Sequence, residues 1–138
     1  MNEKTAESIM VLNEKSAFLK HNAIRVVSVS EEESVLEAEI TDTSKNIWGM
    51  VHGGLIFTLA DTAAGALARM HQASKNVTLN TFISYISEAK NTGKLYAICK
   101  EDHAGRSVGV YNVQVVDDHQ KVVAIATVTM KFLTESRH

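Results

Sequence analysis

Leu55-Ile56-Phe57-Thr58-Leu59-Ala60-Asp61-Thr62-Ala63-Ala64-Gly65-Ala66-Leu67-Ala68-Arg69-Met70 is the stretch on which the fold of this chain turns. Leu55, Leu59, Ala63 and Leu67 fall on one helical row, and Ile56, Ala60, Ala64 and Ala68 on the next. That apolar arc is far wider than the stripe a surface helix needs, so the helix is expected to be nearly engulfed. Gly65 inside it costs about 1 kcal/mol of helix propensity relative to Ala. Close approach of its backbone to a sheet is the expected compensation.

The strands for such a sheet lie on both sides. Upstream, Ile24–Ser30 and Ser34–Ile40 flank a polar turn at Glu31–Glu33, and Leu36, Ala38 and Ile40 alternate with Glu37 and Glu39. This is the period of a half-buried strand. Downstream come Asn76–Ile86, Lys94–Glu101, Ser107–Val116 and Val122–Leu133, separated by the turns Asn91-Thr92-Gly93, His103-Ala104-Gly105 and Asp117-Asp118-His119-Gln120. Val122, Ala124, Ala126, Val128, Met130 and Phe132 give the last strand one wholly apolar face. Val108, Gly109, Val110 and Tyr111 suggest a strand packed tightly along one side. Turns this short demand antiparallel neighbours. With an amphipathic helix over Lys4–Lys20 in front, the order is helix–β–β–helix–β–β–β–β. The expected class is α+β: a long antiparallel sheet wrapped around one buried helix.

At 138 residues the chain has the length of one domain, 1–138. With 45% hydrophobic and 22% charged residues it can build a core and is not a disordered chain. Proline is absent and only 7 glycines occur, so no linker divides it. A net charge of −2 without a basic run argues against nucleic acid as a partner. Cys99 stands alone, so neither an intrachain disulfide nor a zinc cluster is expected. The polar start MNEKTAESIM does not read as a secretory signal, and no apolar run approaches the ~20 residues of a membrane helix. A soluble cytoplasmic protein with no metal and no cofactor is expected.

The chemistry is concentrated in Asn46-Ile47-Trp48-Gly49-Met50-Val51-His52-Gly53-Gly54, which runs straight into the central helix. Two glycines at a helix entrance let a ligand approach the backbone and leave N–H groups unpaired. Such a terminus favours developing negative charge and can polarise an acyl carbonyl; a tight glycine turn with no chemistry is the plainer reading. Asp61 is the only charge between Leu55 and Ala68 and lies too deep in the helix to cap it. A carboxylate there must be hydrogen-bonded in a structural role or used as nucleophile or general base. His52 is either a structural hydrogen-bonding residue or part of the same site. His21, His71, His103, His119 and His138 lack metal-ligand spacing. No G-x-S-x-G elbow is present.

His52-Gly53-Gly54 followed by Leu59-Ala60-Asp61-Thr62-Ala63 closely resembles the hotdog-fold acyl-CoA thioesterases of the phenylacetyl-CoA thioesterase (PaaI-like) branch, over roughly Glu31 to Leu133. The resemblance implies a curved antiparallel sheet wrapped around one long central helix, paired edge to edge in a homodimer and commonly doubled to a homotetramer. It implies that Asp61 is the catalytic acid and that the Gly54 N–H polarises the thioester carbonyl. Asn46 would position the water or the thioester, and His52 would help hold the carbonyl end. Thr78, at the cost of a one-residue gap, matches a Ser/Thr contributed by the following strand. Ser87-Glu88-Ala89-Lys90 stands where the family commonly has a proline-containing bend, which bears on the shape of the substrate tunnel.

The function implied is hydrolysis of an aryl- or medium-chain acyl-CoA to free acid and CoA. The alternatives are a hotdog acyl-CoA sensor without turnover, and a hydratase or dehydratase whose local pattern is not found. Gly53 and Phe57 are expected to touch substrate, with Trp48, Met50, Tyr85 and Tyr111 as further candidates for the acyl pocket, or as core. Arg106, Lys100 and Lys131 are candidates for the CoA phosphates. Asn76–Ile86 has strong β character with no proline and no charge, an edge that natural proteins cover or pair. Pairing of this strand across a two-fold axis is expected to bring Thr78 of one subunit near Asp61 of its partner.

Overall fold

The computed structural model describes residues 3–71 and 75–133. In chain order these form α1 (Glu3–Lys15), α2 (Ala17–His21), β1 (Ile24–Val29), β2 (Glu33–Glu39), a 3-10 turn (Asp42–Ser44), α3 (Gly53–Ala68), β3 (Asn76–Tyr85), β4 (Lys94–Ala104), β5 (Val108–Asp117) and β6 (Val122–Phe132). The six strands make one antiparallel sheet in the order β1-β2-β4-β5-β6-β3. The sheet wraps α3, which touches every strand, and this is the expected hotdog arrangement.

The wide apolar arc of α3 is buried as the pattern requires. Leu59, Ala60, Ala63 and Ala64 are fully enclosed, facing Leu36 and Ala38 of β2, Leu95 and Ala97 of β4, and Val113 and Val115 of β5 in one core. Small residues on the helix let it lie close to the sheet, and the buried Ser34 hydroxyl donates to the Ala63 carbonyl at 2.7 Å. β5 is as tight as its sequence suggests: a Cβ at Gly109 would stand 2.7 Å from the Phe132 ring and 2.8 Å from that of Tyr111.

Three expectations change. The helix expected over Lys4–Lys20 is two helices, because Ser16 takes extended backbone angles and caps α2, its hydroxyl accepting the Leu19 N–H at 3.3 Å. β4 runs past Glu101 to Ala104 through a bulge between Glu101 and His103. Gly65 is not held against the sheet: a Cβ there would meet Asn76 Oδ1 at 3.6 Å and Met130 Cε at 4.0 Å, ordinary contacts.

The sheet has two unlike edges. At β1 the side chain of Asn13 from α1 pairs with the outer backbone of Val26, its Nδ2 donating to the carbonyl at 3.0 Å and its Oδ1 accepting the N–H at 2.7 Å. At β3 no described residue covers the outer backbone, and Val77, Leu79, Phe82 and Tyr85 are exposed.

Candidate active site

The loop entering α3 is built by Asn46. Its Oδ1 accepts the N–H groups of Trp48 at 2.9 Å and Met50 at 3.1 Å, while Gly49 turns the chain at φ +79°. The loop is tied down by Val51 N–H to the Ala89 carbonyl and His52 N–H to that of Ser44. The carbonyl oxygen of the Asn46 amide is therefore spent on the loop, and its Nδ2 is the group left to address a substrate.

His52 caps α3. Its Nδ1 accepts the Gly54 N–H at 2.9 Å, and its carbonyl receives those of Leu55 and Ile56. The Gly54 N–H, expected to polarise the carbonyl, is thus occupied by the imidazole. Among the described residues the Gly53 N–H has no partner, which makes it the open donor of this helix terminus. The glycine is needed there for space: the Tyr85 phenol donates to the Gly53 carbonyl at 2.9 Å, and a Cβ on Gly53 would press on that ring at 3.3 Å.

Asp61 lies farther along the same helix, only partly buried, on the wall of an open cleft of about 370 Å³. Its Oδ1 accepts from Thr78 Oγ1 at 2.8 Å and from Thr81 Oγ1 at 3.4 Å. β3 returns alongside α3, so its Thr78 end meets Asp61 while its Tyr85 end meets Gly53. This corrects the expectation that Thr78 meets a partner's Asp61; it meets its own. The register of β3 slips by one residue between Thr78 and Asn80 opposite β6. That slip falls where the family resemblance required a one-residue gap. Thr81 was missed in the sequence because, three residues after Thr78, it is out of phase for a regular strand.

The two halves of the site do not meet within the chain. Eight residues separate Gly53 from Asp61, a rise of about 12 Å along the helix, against the ~3 Å at which a base and an oxyanion donor must each reach a reacting group. The other candidates are scattered. Phe57 is 38% exposed near the start of α3 and does not line the cleft. Trp48 projects into solvent from the loop. Tyr111 is fully buried in the core, where burial and then the Glu101 carboxylate push its phenol well above the usual range. Arg106 is exposed in the β4–β5 turn, away from the cleft. Lys131 is exposed on β6, and Lys100 pairs with Glu33 at 3.9 Å. Arg69 and Lys75, which sequence reasoning did not single out, do line the cleft.

No helix among the described residues is long and apolar enough to cross a membrane. Residues 49–124 match the sequence profile of the thioesterase superfamily. Acyl-coenzyme A thioesterase PaaI of Escherichia coli (strain K12) is 30% identical over 125 residues, 91% of this chain and 89% of that protein. The structure of the E. coli PaaI protein, from the phenylacetic acid degradation operon, superposes with a TM-score of 0.89 at 25% identity, covering 96% of both chains. A hypothetical thioesterase solved with coenzyme A, from Streptococcus pneumoniae TIGR4, superposes at 0.75 with 26% identity over 81% of this chain and 87% of that one. The profile spans more than half of the residues and the E. coli relative aligns nearly end to end, so the chain belongs to the thioesterase superfamily, in its PaaI-like hotdog branch.

Proposed function

We propose that the protein hydrolyses acyl-CoA thioesters to the free acid and CoA, with Asp61 as the reacting carboxylate. The observation that carries this is the Asp61 side chain itself: fixed by Thr78 at 2.8 Å through Oδ1, and lining an open cleft, in a chain related to an acyl-coenzyme A thioesterase. Oδ2 either takes a proton from an attacking water or attacks the carbonyl carbon, giving an anhydride that water opens. In both cases the C–S bond breaks, the acyl carbon gains an oxygen from water, and CoA leaves as the thiol.

The oxyanion formed on the way needs a donor that Asp61's own helix cannot bring to it. A second copy can. Pairing the bare edge of β3 with its symmetry mate about a two-fold near the strand centre sets the Tyr85 end of one strand beside the Thr78 end of the other. The Gly53 N–H and His52 ring of one subunit then face Asp61 and Thr78 of the other. In this homodimer, doubled to a homotetramer without changing the site, Asn46 Nδ2 approaches the substrate from the same side as His52. The acyl group is aryl or medium-chain, and the protein works in the cytoplasm.

Release of CoA thiol from a panel of acyl-CoAs tests the reaction; binding without release would make the protein a sensor, and water addition to an enoyl ester a hydratase. Mixing inactive Asp61→Asn and Gly53→Val variants tests the shared site. Activity is expected to return on mixing, because one site of each mixed dimer is intact. A mixture that stays inactive although subunits exchange refutes it.

A further inference from the structure

The cleft beside Asp61 has two ends of different chemistry. Asp61 and Gly65 of α3 and Arg69 at its C-cap stand four residues apart on one row, with Lys75 and Asn76, at the start of β3, opposite. Among the described residues that line it Asp61 is the only carboxylate, whereas the far end carries two cations, Arg69 and Lys75. Arg69 is steadied by its Nε–H donating to Ser8 of α1 at 3.1 Å. Lys75 is exposed and makes no ion pair among the described residues. The floor between them is Gly65. Packing does not ask for glycine there, because a methyl group would make only ordinary contacts, and a helix interior disfavours it. What the missing side chain provides is room in the cleft.

We propose that this cleft holds the acyl group of the substrate and that Arg69 and Lys75 select acyl chains ending in an anion, such as an ω-carboxylate. The proposal rests on the thioesterase reading above and narrows its substrate. The span fits: Asp61 to Arg69 is a rise of about 12 Å, from which the reach of the two side chains must be subtracted. That leaves the length of a short dicarboxylic acyl chain and is too short for an extended pantetheine arm, so the CoA phosphates are not the anion expected here. At that separation the repulsion between Asp61 and the distal carboxylate is largely screened at physiological salt, while the attraction to the adjacent cations is not.

The test compares adipoyl-CoA with hexanoyl-CoA, equal in carbon number and different in the terminal group. The protein is expected to favour adipoyl-CoA in kcat/KM by about tenfold or more, as one close, partly desolvated charge contact allows. Lys75→Gln should lower that ratio severalfold, and Arg69→Gln should lower it again. The same comparison is made by equilibrium binding to Asp61→Asn, which does not need turnover. If no ester is hydrolysed but adipoyl-CoA still binds more tightly, the catalytic reading falls and the anion pocket stands. Equal kcat/KM and equal binding of the two esters overturn the pocket. So does a Lys75→Gln loss that is the same for both esters and vanishes with N-acetylcysteamine thioesters, which would assign the lysine to the CoA phosphates. Gly65→Ala gives an independent reading: thermal stability should rise while kcat/KM for both six-carbon esters falls. A stabilised variant with unaltered kinetics would show that the acyl chain lies elsewhere.

Discussion

The two edges of the sheet are finished in different ways. β1 is short, bulged between Val26 and Ser28, and closed by one amide side chain that makes both of the hydrogen bonds a neighbouring strand would make at Val26. β3 is longer, uncharged, and bare along its outer side among the described residues. Exposed strand edges invite pairing, and proteins that avoid it blunt them as β1 is blunted. One edge is finished within the chain, and the other is left open among the described residues; the proposed dimer is the one that closes it. The open edge is also the strand that holds Thr78 against Asp61 at one end and Tyr85 against Gly53 at the other.

The sharpest way to break this contrast is to give β3 what it lacks. Phe82 is 74% exposed near the middle of the strand, so Phe82→Lys is expected to leave the monomer fold intact and to set like charges across the proposed two-fold. Light scattering should then report a 15.1 kDa particle, with activity down by about 10⁴-fold as base and oxyanion donor are separated. A fully active monomer would refute the shared site. Asp61→Asn should lower kcat by about 10²-fold or more with the assembly unchanged, since only the base is lost.

The closed edge should respond the other way. Asn13→Ala unpairs both outer groups of Val26 and is expected to cost about 1–3 kcal/mol, read in thermal or urea unfolding, with kcat and the oligomer preserved. The smallest effect lies between the edges, on β4. Burial, the largest influence, pushes the Cys99 thiol up to about 12, against 9.0 unperturbed. The unfolded chain therefore loses this proton first as pH rises, and stability should decline from about pH 9 upward, by about 1.4 kcal/mol at pH 10 from this group. Cys99→Ala should flatten that part of the profile, measured as the difference in urea midpoint between pH 8 and 10.

What could be read from the sequence follows from the range of the interactions involved. The engulfed helix was legible because eight residues of one arc repeat a single period, and Asp61 because a lone charge on such an arc needs a reason. The bare edge was legible as an absence of charge and proline in Asn76–Ile86. The closed edge was not: Asn13 in an amphipathic helix looks like a solvent-facing residue until tertiary structure brings Val26 beside it. The His52 ring taking the Gly54 N–H was equally hidden, since capping depends on one rotamer. Gly65 was noticed but assigned to packing, because its spacing cannot tell a close neighbour from an empty one. Tyr111 looked like a candidate for a pocket and is core, because its side chain lies on the inner face of β5.

Leu79 is a surplus letter in β3. It has no counterpart on β6, where Thr78 faces Met130 and Asn80 faces Thr129. Along an unbroken strand odd and even positions look to opposite sides, so residues 78 and 81 would have opposite parity. The extra letter changes the parity midway, and both hydroxyls arrive at one carboxylate oxygen. The strand is in effect written in two frames, and the Asp61 carboxylate sits at the join. Leu79 itself is 53% exposed, so removing it would take little from the core. Yet the deletion would put one half of the strand out of frame with the other, turning its inward residues outward. In this segment a change of length by one is a graver edit than most changes of residue.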